Sequence, residues 1–389
     1  MVPNGWEEKR LGKVAEFQRG FDLPSAKRLD GNIPIISSSG VSGFHNESKV
    51  KAPGIVTGRY GTIGNVFLIN EDFWPLNTSL WVKDFHQNEI KFIYYLLQSF
   101  DFKKFSDKTG VPGVNRNDLH AVKVKVPPLP EQQKIAKILT TWDKAIDTTE
   151  RLIDNSKQQK KALMQQLLTG KKRLLDDEGK RFEGEWEEVR LEDHLESFQN
   201  GYAFKASHYE ETGIPIITMG NIGLDGKFNE RLSKVNYWSY DKALERYEVN
   251  NGDLLIAMTD VTPDKNLIGR MTIVTTDKTF YLNQRVGLIK PKPTLDKHFL
   301  RCLSNDVCWR RYSLAVSASG VQANMSTKDI KNGTIKLPSF KEQQKIAAVL
   351  TNADKEIELL EQQLADLQQE KKALMQVLLT GKKRVRIDG

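Results

Sequence analysis

Apolar side chains recur at alternating spacings of four and three along residues 131–170: Ile135, Leu139, Trp142, Ile146, Ile153, Leu163 and Leu167, with Thr149, Ser156 and Lys160 completing the stripe. The pattern returns 211 positions later at Ile346, Leu350, Ala353, Ile357, Leu360, Leu364, Leu367, Leu374 and Leu378, and its polar position, Lys371, is the counterpart of Lys160. A sustained 3.5-residue period predicts a long helix whose narrow seam needs a partner. At ~1.5 Å per residue each helix would be roughly 60 Å long, and the two copies are the obvious pair. Pro127-Pro128-Leu129-Pro130 and Pro338 precede the two starts, and Glu131 and Glu342 sit in the first turns. Gly170 and Gly381 end the helices beside Lys171-Lys172-Arg173 and Lys382-Lys383-Arg384. Two uses are open for these basic clusters: compensation of the helix dipole, or contact with phosphates or an acidic partner.

The repeat extends beyond the helices. Trp6-Glu7-Glu8-Lys9-Arg10-Leu11 returns as Trp186-Glu187-Glu188-Val189-Arg190-Leu191, and Phe17-Gln18-Arg19-Gly20-Phe21 returns as Phe198-Gln199-Asn200-Gly201-Tyr202. Ile33-Pro34-Ile35-Ile36 returns as Ile214-Pro215-Ile216-Ile217 at an offset of 181, so the second globular module carries 30 extra residues before its helix. Short apolar runs bounded by Gly, Asn and Ser predict strands at 33–36, 54–57, 66–69, 80–82 and 122–126, and in the second module near Ile216 and at 254–258, 271–274, 286–289 and 335–337. Helices are expected at 90–105 and 297–314. The resulting segmentation is a first module at 1–130, a long helix at 131–170, a linker at 171–185, a second module at 186–341 and a second long helix at 342–381. The C-terminus matches the beginning of that linker and the N-terminus its final part. This organisation is cyclic and implies pseudo-two-fold symmetry.

Composition narrows the function. The 389-residue chain has 58 Lys and Arg against 50 Asp and Glu, a net charge of +8 that permits a polyanionic partner without demanding one. Cys302 and Cys308 are one close pair and no disulfide framework, which fits a reduced, cytoplasmic setting. No run approaches a membrane span, and the start lacks a signal pattern. An Asn/Asp-Pro-Pro-aromatic methyltransferase loop, the clustered carboxylates of a metal nuclease, metal-ligand spacing among the six histidines and a phosphate loop are all missing. The chain reads as non-catalytic, with no bound cofactor and no metal.

Polar loops between the strands offer binding chemistry instead. Arg59, Tyr60, Thr62 and Asn65 lie in the glycine-rich run Gly58-Arg59-Tyr60-Gly61-Thr62-Ile63-Gly64-Asn65, and Asn115 and Arg116 lie in a second such loop at 110–117. The second module offers Asn221, Thr259, Asp260, Lys265, Asn283, Gln284, Arg285, Gln322 and Asn324. Glycine lets a backbone approach closely, Arg matches a guanine edge, Asn and Gln match adenine, and Lys or Arg holds phosphate. Each loop alone is as readily a structural turn; their recurrence at matching places in both modules favours binding to double-stranded DNA.

At Pro127-Pro128-Leu129-Pro130-Glu131-Gln132-Gln133-Lys134-Ile135-Ala136, and again at Leu337-Pro338-Ser339-Phe340-Lys341-Glu342-Gln343-Gln344-Lys345-Ile346-Ala347, the chain resembles the specificity subunits of type I restriction-modification systems. The segment from Gly54 to Gly64 also looks like one common in their target-recognition domains. Ser339-Phe340-Lys341 in place of Leu129-Pro130 is a local departure. The resemblance implies an α/β (α+β) fold: two mixed α/β target-recognition domains separated by a long antiparallel two-helix coiled coil. It further implies that each domain reads half of a bipartite DNA site and that the helices set the spacing and dock methyltransferase (modification) subunits, two in number. Restriction endonuclease subunits complete such a complex, and S-adenosylmethionine belongs on the methyltransferase. Two other classes compete: an autonomous DNA-modifying enzyme or nuclease with fused recognition domains, and a coiled-coil scaffold that binds no DNA.

Overall fold

The computed structural model describes residues 2–105, 113–230, 234–317 and 323–387. The chain forms two compact units, Met1–Leu152 with Leu360–Gly389, and Ile153–Leu359. In the first module the elements are β1 (Glu7–Arg10), β2 (Glu16–Arg19), β3 (Ile33–Ser37), β4 (Gly40–His45), β5 (Gly54–Gly58), β6 (Val66–Ile69), β7 (Trp74–Pro75), β8 (Ser79–Asp84), α1 (Ile90–Gln98), α2 (Arg116–Ala121) and β9 (Lys123–Val126). The helix α3 (Leu129–Leu167) follows. The second module contains β10 (Glu187–Arg190), β11 (Leu195–Asn200), β12 (Ile214–Ile217), β13 (Tyr237–Trp238), β14 (Glu248–Val249), β15 (Leu254–Ala257), β16 (Thr259–Asp260), β17 (Met271–Ile273), β18 (Phe280–Leu282) and β19 (Val286–Pro291). It closes with α4 (Lys297–Leu303), α5 (Val307–Val316), β20 (Ala323–Asn324), α6 (Thr327–Asn332) and β21 (Thr334–Leu337), before α7 (Phe340–Leu378).

In the first unit a four-stranded antiparallel sheet runs β2-β8-β5-β6, beside a three-stranded sheet β4-β3-β7 in which β3 and β7 are parallel. The central strand β5 is buried along its whole length, as its apolar run Gly54-Ile55-Val56 requires. In the second unit the corresponding sheets are β11-β19-β15-β17 and β13-β12-β18-β14. The repeated Phe-Gln-x-Gly-aromatic motif has a steric reason. A Cβ on Gly20 would stand 2.1 Å from the Leu76 carbonyl oxygen, and one on Gly201 would stand 2.1 Å from that of Asn283. In each module that glycine lets the first strand of the sheet pass the chain that leads into the next.

Two expected helices are shorter than their apolar patterns. The first ends at Gln98, where Ser99 Oγ donates to the Leu96 carbonyl (2.6 Å), and Phe102–Phe105 forms a separate tight turn. The second is broken into α4 and α5 because Asp306 caps a new start, accepting the Cys308 N–H at 2.8 Å. The structure adds strands outside the expected apolar runs, among them β2, β4, β11 and β18 in the sheets, and β1 and β10, which are largely exposed and pair with β9 and β21.

Each module core is continuous with the ends of the long helices. In the first unit Leu11, Phe17, Ile55, Phe92 and Ile93 pack with Ile135 and Leu139 at the start of α3 and with Leu378 and Leu379 at the end of α7. In the second unit Leu191, Leu254, Phe299 and Leu300 pack with Leu167 and Leu168 at the end of α3 and with Ile346 and Leu350 at the start of α7. Burying such a side chain contributes roughly 1.5–3 kcal/mol. In both units the start of one helix meets the end of the other, so the pairing is antiparallel. Polar seam positions are paired too: Lys371 with Asp143 in the first unit, Lys160 with Asp354 in the second.

The Glu-Gln-Gln motif is explained by burial. Glu131 and Glu342 are both 0% exposed. Arg384 Nε and Nη2 each donate to Glu131 at 2.7 Å, and Trp6 Nε1 donates to it at 3.0 Å. Arg173 Nε and Nη2 donate to Glu342 at 2.6 and 2.7 Å. Neither expected use of the Lys-Lys-Arg clusters applies to these arginines; each is the counter-ion of a buried carboxylate at the start of the other helix. Gln132 accepts the Glu89 N–H and donates to Asn88 Oδ1 and the Pro127 carbonyl, all at 2.9 Å. Gln343 repeats the pattern with Asp296 N, Thr294 O and Pro338 O. Glycines 170 and 381, at φ +71° and +70°, turn the chain toward these arginines.

Arg173→Met, which leaves Glu342 without its cation, should destabilise the full chain by ~3–5 kcal/mol. Arg384→Met should cost less, because that side chain is 41% exposed against 19% for Arg173. Chemical denaturation of both variants checks the order, and equal losses would refute it. A second expectation concerns pH. His120 Nε2 accepts the Phe17 N–H at 2.8 Å, which requires a neutral ring, and burial followed by the nearby Arg116 lowers its pKa. The unfolded chain therefore takes up this proton first, so stability is complete above about pH 6.5 and falls as the pH drops toward the lower folded value. Thermal melts of the chain and of His120→Gln between pH 7.5 and 5 should diverge on the acid side. Parallel curves would show that His120 carries no such linkage.

Candidate nucleic-acid interface

In the first module three segments meet beyond the end of the central strand. Arg59 N and Tyr60 N donate to the Thr78 carbonyl at 2.9 and 3.1 Å, and Val114 N donates to the Arg59 carbonyl at 2.8 Å. Tyr60 and Gly113 form an isolated antiparallel bridge. The Arg59 guanidinium lies 4.5 Å from the centre of the Tyr60 ring, and its Nη2 donates to the Tyr60 hydroxyl at 3.3 Å. This stacked pair is a flat cationic surface on a rigid base, a suitable shape for a base edge or a sugar-phosphate. Thr62 and Asn65 are exposed on the same loop, where the Asn65 carbonyl accepts from Thr57 Oγ1 at 2.9 Å. Asn115 caps α2 by accepting the Asn117 N–H at 2.8 Å, and Arg116 follows it, exposed.

The second module repeats this frame. Met258 N donates to the Arg285 carbonyl (3.0 Å) and Met325 N to the Met258 carbonyl (2.9 Å), so Arg59 corresponds to Met258 and Tyr60 to Thr259. The strands β16 and β20 pair Thr259 with Asn324 and Asp260 with Ala323. Gln284 N donates to the Tyr202 carbonyl at 3.0 Å, and Asn283 Oδ1 accepts the Arg285 N–H at 3.1 Å. Met258, Thr259, Gln284, Asn324, Ser326 and Asp329 line a groove here. Gln284, Arg285 and Asn324 are exposed, Asn283 half-buried, and Lys265 stands on the loop after β16 at φ +48°.

Some candidates point inward. Asn221 is 2% exposed; its Oδ1 accepts the Thr218 N–H at 2.8 Å and its Nδ2 donates to the Asn229 carbonyl at 2.9 Å, so it closes a turn rather than facing a ligand. Asp260, 1% exposed, holds the loop that follows it, and Thr259 is 5% exposed. Gln322, with residues 110–112 and 319–321 of the expected loops, lies outside the described residues.

The structure also adds residues. Asn77 occupies the place of Gln284, and its Nδ2 donates to Asp22, which in turn accepts from Arg19 Nη2 at 2.9 Å. Arg246 stacks on Tyr247 with its guanidinium 4.7 Å from the ring centre, and Tyr247 packs on Tyr202. The Arg-Tyr dipeptide, shared with Arg59-Tyr60, was the available signal. A further cluster, Glu16, Asp84 and His86, brings three potential ligand atoms within 4.8 Å of one another, and Lys83 approaches Glu16 at 3.5 Å.

A family model described as the type I restriction modification DNA specificity domain matches residues 3–157 and again 183–369. The chain belongs to this family. It is 28% identical over 409 residues to the type I restriction enzyme MjaVIII specificity subunit of Methanocaldococcus jannaschii, covering 99% of this chain and 94% of that protein. A putative MjaX specificity subunit of the same organism is 26% identical over 77% of this chain and 70% of its own length. Among solved structures, the S subunit of a type I restriction-modification system from M. genitalium matches with a TM-score of 0.62 at 15% identity, covering 97% of this chain and 98% of that one. A chain from a structure of the type I R-M system matches at a TM-score of 0.57 and 17% identity over 98% of this chain and 100% of that one. These two likenesses concern the fold. Family membership makes this chain a DNA specificity subunit with two target-recognition domains, and each family match runs from a module into its long helix.

Proposed function

We propose that each module reads one half of a bipartite double-stranded DNA site in the cytoplasm, and that methyltransferase and restriction endonuclease subunits supply the chemistry that this chain lacks. S-adenosylmethionine belongs on the methyltransferase in this reading. The supporting observation is one backbone frame carrying two different loop sets: the hydrogen bonds through Arg59 and Met258 are equivalent, while Arg59-Tyr60-Gly61 and Met258-Thr259-Asp260 present different chemistry. A shared frame with unlike loops suits two separate half-sites. Arg59, Tyr60, Thr62, Asn65, Asn115 and Arg116 would act on the first, with Lys265, Asn283, Gln284, Arg285, Gln322 and Asn324 on the second.

Two methyltransferase subunits fit a second repeated feature. In the first unit a groove is lined by Val124, Lys125, Leu379 and Thr380, and in the second unit a smaller one by Ile335, Lys336, Leu168 and Thr169. These residues correspond one to one, which supports one docking position per module.

Arg59→Ala should weaken specific DNA binding by ~1–3 kcal/mol and relax one half-site only. Titration against cognate and half-site-mutated duplexes measures this, and an unchanged affinity would reduce Arg59 to a turn residue.

We also propose that the helices fix the unread gap between the half-sites. Asp143 and Lys160 are 17 residues apart on α3, as are Asp354 and Lys371 on α7, and each acid pairs with the lysine of the other helix. Lengthening α3 alone would break one of these pairs. Four residues inserted both between Ile146 and Ile153 and between Ile357 and Leu364 add about one turn, ~6 Å, to each helix. The insertion should lengthen the unread gap by about two base pairs at ~3.4 Å each and leave both half-sites unchanged. Mapping of methylated adenines decides it; an unaltered gap would show that the helices do not set the spacing.

A further inference from the structure

Residues 261–267 of the second module connect β16 to the chain entering β17, and they are held from beneath by two unrelated groups. The first is Asp260. Its Oδ1 accepts the N–H and the hydroxyl of Thr262, both at 2.8 Å, and its Oδ2 accepts the Leu267 N–H at 2.6 Å. Burial opposes ionisation of this carboxyl, yet the N–H groups of Thr262, Leu267 and Ile268 outweigh it and the net shift is downward. One carboxylate therefore ties together both ends of the loop.

The second group comes from α5. Arg310 Nη2 donates to the Lys265 and Asn266 carbonyls at 3.3 and 3.1 Å, and its Nη1 donates to the Ile268 carbonyl. Arg270 Nε donates to the Asn266 carbonyl at 2.5 Å. A planar guanidinium matches this set of carbonyls, whereas an ammonium has no fixed fork. Lys265 at φ +48° is a left-handed non-glycine residue within the same hold. Above these anchors the tip is open: Val261 is 57% exposed, and Thr262, Pro263, Asp264 and Asn266 are exposed.

The first module solves the same position differently. The equivalent hydrogen bonds place Gly61 where Asp260 stands, and its shorter loop turns on Gly61 and Gly64 at φ +79° and +107°. The second module keeps a left-handed glycine at the loop's exit, Gly269 at φ +73°, but its longer loop has no glycine from 261 to 268 and needs internal anchors there to keep one shape; a fixed shape lowers the ordering cost of binding.

We propose that residues 261–266 form a pre-shaped DNA-reading loop, and that Asp260 and Arg310 are its positioning residues, which decide how strictly the second module's half-site is read. Thr262, Asp264, Lys265 and Asn266 supply the donors and acceptors that meet the base edges and backbone. This rests on the bipartite reading proposed above.

The test uses the full chain assembled with its methyltransferase subunits. Exchange of residues 186–341 for another family member's module first identifies the second half-site. Asp260→Asn places an amide N–H against an N–H of the loop, and Arg310→Lys keeps the charge but loses the fork. Each should reduce discrimination at that half-site by about tenfold. Methylation mapping should find the other half-site unchanged, and hydrogen exchange should show the Thr262 and Leu267 amides less protected. A tip variant, Thr262→Ala with Asn266→Ala, should alter the same half-site with those amides still protected. Faster exchange with discrimination intact, or a tip variant that reads normally, would overturn the proposal. So would a loss spread equally over both half-sites. If module exchange itself altered neither half-site, or both, the bipartite reading would fall instead.

Discussion

A carboxylate with no solvent exposure at the first turn of a helix cannot remain charged there without a partner, and the architecture depends on how Glu131 and Glu342 are answered. The helix N-terminus supplies part of the compensation. The guanidinium comes from far along the chain, Arg384 for Glu131 and Arg173 for Glu342. Each unit thus closes only when the start of one long helix has met the residues that follow the other. A hydrophobic seam alone tolerates sliding by a heptad; a buried acid that needs one particular arginine does not. Lys160 with Asp354, and Lys371 with Asp143, add the same requirement within the helices. Buried ion pairs of this kind contribute little to net stability over an apolar replacement. All four join residues whose partners in the other copy lie at the same 211-residue offset, so a net insertion between the paired positions in one helix alone would put a pair out of register.

The long helices, and those strands that carry an uninterrupted apolar run, such as β3, β5 and β15, were legible because their signals are continuous; β2, β4 and β11, with polar residues or glycine among the apolar ones, were not. The breaks were not: Ser99 and Asp306 end or restart helices by side-chain hydrogen bonds that an apolar pattern does not register. The strands β1 and β10 were hidden for a related reason. Glu7-Glu8-Lys9-Arg10 has no apolar alternation, and its strand exists because Trp6 and Leu11 on either side are anchored in the core. For the candidate interface the sequence located the loops but not the direction of their side chains. Asn and Asp cap turns with the same atoms that would meet a base, and burial alone separates Asn221 and Asp260 from Asn115 and Asn283.

The modules separate two kinds of constraint. Gln132 and Gln343 each tie a long helix to the entry of a module helix and to the proline that precedes the long helix itself, so the module cannot tilt on its support without breaking buried hydrogen bonds. The motif that marks the family so plainly in the sequence therefore belongs to the frame.

What varies lies beyond the frame. Between the equivalent bonds of Arg59 and Met258 and the loop exits at Gly64 and Gly269 the two chains differ: one module turns within a few residues on Gly61, whereas the other builds a longer loop anchored by Asp260. Loop length and chemistry can change there without disturbing the strands beneath or the helix junction. A subunit whose role is to choose among DNA sequences needs that independence, because a change of specificity must leave intact the register on which both units depend.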